Sequence, residues 1–240
     1  VNIILFEKDE LLSDGTTEVK ERRFIHLKKV LKVNTHDIVR VGVINKLMGE
    51  GKVLEIKENS IRIHLKLNTS PPPPLPITLL LAMPRPKAFR RILETATTMG
   101  IKRIVLFHSY NVEKSYWDSP FLSVEAMRER MLFGLEQAID TILPTIELYK
   151  NFNQFINECI PTIIKNTVPI IANPRALHEP PKTINQPITI CVGSDRGFTE
   201  SESAIFESNG FFSTSLGVRT LKVEQAVPAL IGKISSMMLI

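Results

Sequence analysis

The sequence predicts an α/β protein in two parts: a small, mostly antiparallel β-barrel first, then a larger α/β domain built on a parallel sheet. Three observations lead there. Residues 68–76 read NTSPPPPLP, and consecutive prolines neither donate to a ladder nor continue a helix, so this run is a stiff spacer. Before it, short runs of alternating apolar and polar residues are separated by turn residues. After it, apolar runs of strand length alternate with stretches of helical length, which is the pattern of βαβ units and a parallel sheet. The domain division expected is 1–70, a linker at 71–76, and 77–240.

In the first part, strands are expected at Ile38–Val43, Gly51–Ile56 and Ile61–Leu67, with Glu58-Asn59-Ser60 as a turn and a helix over Glu21–Val30. The alternation in Ile61-Arg-Ile-His-Leu-Lys-Leu67 places one face on a core and the other in water. In the second part, Ile77–Ala82 and Ile104–Phe107 read as strands flanking a helix at Lys87–Met99. A second helix over Ser123–Ile139 carries Met127, Met131, Leu135 and Ala138 on one stripe, with Arg128, Glu129 and Glu136 off it. Further strands are expected at Val168–Ala172, Ile188–Val192 and Phe211–Ser215, and a last helix at Val223–Met238.

Composition narrows the function classes. The 240 residues are 43% hydrophobic, enough for a sizeable core, and 30 Lys plus Arg against 25 Asp plus Glu give a mild positive bias suited to a polyanionic partner. Cys159 and Cys191 have no partners at metal-ligand spacing. His26, His36, His64, His108 and His178 show neither HxxxH nor HExxH spacing, so no metal site is expected. The longest uncharged run, Leu67–Pro84, is broken by prolines, and VNIILFEKDE lacks the basic start of a secretory signal. A cytoplasmic protein with no membrane span is the expectation.

The segment richest in chemistry is Ile188-Thr-Ile-Cys-Val-Gly-Ser-Asp-Arg-Gly-Phe-Thr-Glu-Ser-Glu202: a buried strand, a loop bounded by Gly193 and Gly197, and a helix start at which Thr199 and Glu202 have capping-box spacing. Such turns at the carboxyl edge of a parallel sheet are where ligands bind, because glycines let the backbone approach closely. The spacing is neither GxGxxG nor a Walker A motif, which sets aside NAD and ATP. A second segment, Phe211-Phe-Ser-Thr-Ser-Leu-Gly-Val-Arg-Thr-Leu-Lys-Val-Glu-Gln-Ala226, adds a strand, a glycine bend, two cations and an acid before the last helix.

Together these segments resemble the RsmE family, SPOUT-class enzymes that methylate N3 of a uridine in small-subunit ribosomal RNA. Members typically show GPEGGF and LGxRILRxETA where this chain has GSDRGF and LGVRTLKVEQA. Leu81–Lys87, Val112–Trp117, Gly134–Ala138 and Val227–Gly232 are similar to one branch of that family, and Arg23–Lys32 to its PUA-like RNA-binding module.

The resemblance implies a PUA-like barrel, a SPOUT domain with a trefoil knot, and a homodimer. It also implies S-adenosylmethionine as cofactor, held by Asn173, Gly193, Asp195, Gly197, Ser215, Leu216, Gly217 and Leu221. Arg219 would act electrostatically, and Glu224, or else Asp195, would accept a proton. Arg22, Arg23, Lys28, Lys29, Lys32, Arg85 and Lys87 would contact ribosomal RNA. Ser194, Asp195 and Arg196 depart from the first motif, and Thr220, Lys222 and Gln225 from the second. Arg196 departs most, standing where a glycine tolerates positive φ. Three alternatives stay open on this reading: a scaffold that binds RNA but has lost methyl transfer, an enzyme acting on another RNA position, and a small-molecule enzyme.

Overall fold

A computed structural model of the chain describes residues 2–176 and 184–238, so His178 lies outside the described residues. The chain divides into two compact units. The first runs to Pro73 and takes in Leu132–Leu143; the second comprises Pro74–Met131 and residues from 144 onward.

The first unit is a five-stranded sheet of β1 (Ile4–Phe6), β2 (Thr16–Val19), β3 (Ile38–Val43), β4 (Met48–Ile56) and β5 (Ile61–Thr69), in the order β1-β3-β4-β5-β2. All pairings are antiparallel except β1 with β3. The alternation in β5 works as expected: Ile61, Ile63 and Leu65 are buried on Phe6, Val19, Phe24, Leu27, Val41 and Val53, while His64 and Lys66 face water. The expected barrel is corrected to a curled sheet, a half-barrel. Its edge strands β1 and β2 do not pair with each other, and β1, only three residues long, adds in parallel beside β3. Helix α1 (Glu21–Ile25) widens into π turns over His26–Leu31 and packs Phe24 and Leu27 onto this core.

In the second unit, β6 (Ile77–Ala82), β7 (Arg103–Phe107), β8 (Thr145–Tyr149), β9 (Val168–Ala172), β10 (Ile188–Val192) and β11 (Phe212–Thr214) form one fully parallel sheet ordered β11-β9-β10-β6-β7-β8. Its central strands are apolar but for Thr78 and Thr189, as suits a sheet covered by helices on both faces. These are α2 (Pro86–Thr98), the helical run of α4 (Phe152–Gln154), Phe155–Cys159 and α5 (Ile160–Ile163), then α6 (Glu200–Ser208) and α7 (Val223–Ser235); α3 (Val124–Ala138) begins in this unit and ends in the first. Chain order reverses between β6 and β10, so the loops after β9, β10 and β11 gather at one carboxyl edge. An aromatic cluster lies under the sheet. Phe107 stacks on Phe155 at 4.1 Å between centroids, and Phe206 packs edge-on to both.

Glu136 is the notable departure on α3. It was expected off the apolar stripe but is 4% exposed, its carboxylate gripped by both terminal nitrogens of Arg22, one at 2.9 Å. Cys159 and Cys191 are buried free thiols; burial pushes Cys159 up to about 11 and Cys191 well above its ordinary value, so both stay protonated and unreactive.

Phe206 is fully buried among five other aromatic rings of this cluster. Phe206→Ala is expected to destabilise the protein by about 3–5 kcal/mol, read as a lower denaturant midpoint at unchanged slope.

Candidate active site at the carboxyl edge of the parallel sheet

Three loops build the site. The loop leaving β10 folds back on itself: Gly197 N–H donates to Ser194 O at 2.8 Å, and Gly197 sits at φ +68°. A Cβ on Gly193 would lie 3.0 Å from Gly197 Cα and 3.1 Å from its carbonyl carbon, so a side chain there would force the facing backbone to give by a few tenths of an ångström. The left-handed residue is Gly197. Arg196 is not among the positive-φ residues, which removes the backbone objection to a side chain at that position.

This loop is tied down at four points. Thr199 and Glu202 form the expected capping box, at 3.2 Å and 2.8 Å. Glu202, fully buried, accepts the Tyr110 N–H from the loop after β7 at 2.9 Å. Asn111 Nδ2 donates to Gly197 O at 3.3 Å, and Asp195 Oδ2 accepts the N–H of Arg85, the residue that caps α2, at 2.8 Å. Beside it, burial and Lys114 hold His108 below its ordinary pKa, and its Nδ1 accepts the Trp117 indole N–H at 3.0 Å.

The loop leaving β11 turns at Gly217, φ +109°, where Ser215 Oγ accepts the Gly217 N–H at 3.0 Å and Lys233 of α7 donates to Ser215 O at 3.2 Å. The third loop leaves β9 at Asn173, whose N–H donates to Thr214 O at 2.9 Å.

Between the three loops lies a cavity of about 210 Å³. Asn173, Gly193, Asp195, Gly197, Leu216, Gly217 and Leu221 line it, as does Arg219. Ser215 does not; its hydroxyl shapes the turn instead. Glu224 also stands outside the lining, in the first turn of α7, 3.9 Å from Arg91. Arg219 is exposed at the rim and has no hydrogen bond or ion pair among the described residues. The sequence reading passed over Ser194 and Thr214 as wall residues, because a serine and a strand-end threonine carry no spacing signal.

The basic residues divide by partner. In the first unit, Arg22 is spent on Glu136 and lies 4.7 Å from the Phe133 ring centroid. Arg23 bonds Leu5 O at 2.7 Å and pairs with Glu10, whose carboxyl it holds below the usual range against the opposing effect of burial. Lys28 reaches Glu58 O at 3.2 Å, while Lys29 and Lys32 stand exposed. In the second unit, Arg85 and Lys87 are exposed at the start of α2. Among the described residues no group of three or more His, Cys, Asp or Glu could hold a metal, and no helix is long and apolar enough to cross a membrane.

A parallel sheet with this loop-walled cavity defines a class: the model of the RNA methyltransferase domain family matches residues 71–235. The chain is 30% identical to ribosomal RNA small subunit methyltransferase E of Treponema pallidum over 95% of its own length and 88% of that protein's. It is 25% identical to ribosomal RNA small subunit methyltransferase E 1 of Borreliella burgdorferi over 88% of each. The fold matches ribosomal RNA small subunit methyltransferase E from Neisseria gonorrhoeae, solved bound to S-adenosyl methionine, with a TM-score of 0.74 over 98% of both chains at 17% identity. The chain belongs to the ribosomal RNA small subunit methyltransferase E family.

Gly193→Ala is expected to push the doubled-back loop apart. Overpacking of this kind costs about 1–3 kcal/mol, measurable as a lower melting temperature of the unliganded protein.

Proposed function

We propose that this protein transfers a methyl group from S-adenosylmethionine to N3 of a uridine in small-subunit ribosomal RNA. The observation that carries the reading is that Gly193–Gly197 and Leu216–Leu221, the two segments bearing the family resemblance, wall a single cavity.

The residues present fit the cofactor. Leu216, Leu221, Val223 and Ala226 offer apolar surface to an adenine, and Gly193 and Gly217 bring backbone groups close. Two buried hydroxyls on the wall have bonding capacity to spare. When bound, S-adenosylmethionine supplies a methyl group on a sulfonium, already activated for displacement.

This chain's residues would then position the base and manage one proton. Uridine N3 is protonated at neutral pH and becomes nucleophilic once that proton is withdrawn. Glu224 accepts the proton, and the unpaired Arg219 guanidinium stabilises the negative charge that spreads onto the uracil carbonyl oxygens. Asp195 is the weaker acceptor, because its Oδ2 is already engaged by the Arg85 N–H. A target held inside folded RNA has to be turned out of its stack to reach the rim. The resemblance further implies a knotted SPOUT domain over 77–240 and a PUA-like RNA-binding domain over 1–70. It also implies a homodimer working in the cytoplasm.

With small ribosomal subunits and isotope-labelled S-adenosylmethionine, label is expected in one uridine. Arg219→Ala and Glu224→Gln are each expected to slow single-turnover transfer about 10²-fold or more, and Glu224→Gln, outside the cavity lining, should leave cofactor affinity nearly unchanged. Near-normal rates in both variants would remove these two roles.

Of the first-unit cations that the resemblance assigns to RNA, Lys29 and Lys32 have no hydrogen bond or ion pair among the described residues, whereas Arg22 and Arg23 are engaged by Glu136 and Glu10. Replacing each lysine by alanine is expected to lower the slope of log affinity against log salt by about 0.7–0.9 without loss of stability. Arg23→Ala should mainly lower the melting temperature, since it strands Glu10 and the Leu5 carbonyl.

A further inference from the structure

Two buried hydroxyls that lack a hydrogen-bond partner among the described residues, Ser194 Oγ and Thr214 Oγ1, belong to residues lining the cavity. Ser194 is 6% exposed and Thr214 1%. Ser109 Oγ shares the property in the same unit but does not line the cavity.

Three other side chains of these loops are engaged locally. Ser215 Oγ holds the Gly217 N–H, Asp195 holds the Arg85 N–H, and Asn173 Oδ1 accepts the Arg175 N–H at 3.0 Å. The backbone carbonyls of the two residues are used as well, Ser194 O by Gly197 N–H and Thr214 O by Asn173 N–H. Among the described residues that line the cavity, the two buried hydroxyls are left over, one at the start of the loop after β10 and one at the last residue of β11.

A buried hydroxyl without a partner costs free energy, and a strand end has no need of one, since valine fills the same volume with better β-propensity. Both hydroxyls can turn about a single side-chain bond. Their position on the wall gives that freedom a direction.

We infer that Ser194 and Thr214 are ligand-binding residues, their hydroxyls completed by polar atoms of bound S-adenosylmethionine. The inference rests on the cofactor reading above. It assigns the contact to two named side chains, one of them where the family motif has proline. The unliganded protein is therefore less stable than its packing allows, and ligand binding recovers the difference.

The test is Thr214→Val, which preserves shape, together with Ser194→Ala, each measured twice. Melting of the unliganded protein should rise by roughly 2–4 °C in Thr214→Val. The dissociation constant of S-adenosylhomocysteine, measured by calorimetry, should increase about 5- to 10-fold in each variant. Opposite signs in stability and affinity are the signature. Lower melting would mean that the hydroxyl has a partner within the protein, and unchanged affinity would mean that it never meets the ligand; either overturns the inference while wild-type binding leaves the cofactor reading intact. Wild-type protein that binds neither S-adenosylmethionine nor S-adenosylhomocysteine would overturn both together.

Discussion

Glu202 is fully buried and has no salt-bridge partner among the described residues, yet both its oxygens are occupied. One accepts the N–H of Thr199 at the start of its own helix, the other the N–H of Tyr110, 92 residues earlier. A carboxylate buried this way is tolerable because backbone N–H groups and the positive end of α6 stand in for a cation. In return it fastens the loop after β7 to the loop after β10. Those loops carry Asn111 and Gly197, whose own bond closes the same junction. The geometry of the cavity wall depends on this fastening, since the strands deliver the loops to one edge but do not hold their tips.

From that anchor the site spreads along the sheet edge. Asp195 extends it to the head of α2, and the backbone bond between Asn173 and Thr214 joins the loops after β9 and β11. Lys233 then pins the Gly217 turn from α7. Each link is a single hydrogen bond of modest net worth, so the precision comes from their number and from the rigid parallel sheet beneath. Arg219 is the exception, a cation at the rim with no hydrogen bond or ion pair among the described residues.

The two units use charge differently. In the first, Arg22 and Arg23 serve as struts, each satisfying a carboxylate and lying near an aromatic ring, Phe133 and Phe6. Truncating Arg22 would leave the buried Glu136 carboxylate unpaired, and truncating Arg23 would leave the half-buried Glu10 carboxylate without its cation. Lys29 and Lys32, by contrast, remain in water, where their charge acts at a distance and is screened by salt.

The sequence by itself determined the elements. Apolar runs at Ile38–Val43, Ile77–Ala82, Val168–Ala172 and Ile188–Val192 are strands with those bounds, because a buried strand leaves a pattern every two residues or a continuous apolar run. It also determined the glycine loops and the Thr199–Glu202 cap, whose signals are local. Short β1 and β2, the edge strand β8 and the helical run from Phe152 escaped it, being too brief or too mixed to show a period. Only the tertiary structure decided which charges are free and which hydroxyls are not satisfied. Arg22 meets Glu136 across 114 positions and Asp195 meets Arg85 across 110, while Thr214 meets no partner among the described residues. Pairings over such distances follow from how the sheets bring segments together, and no spacing along the chain encodes them.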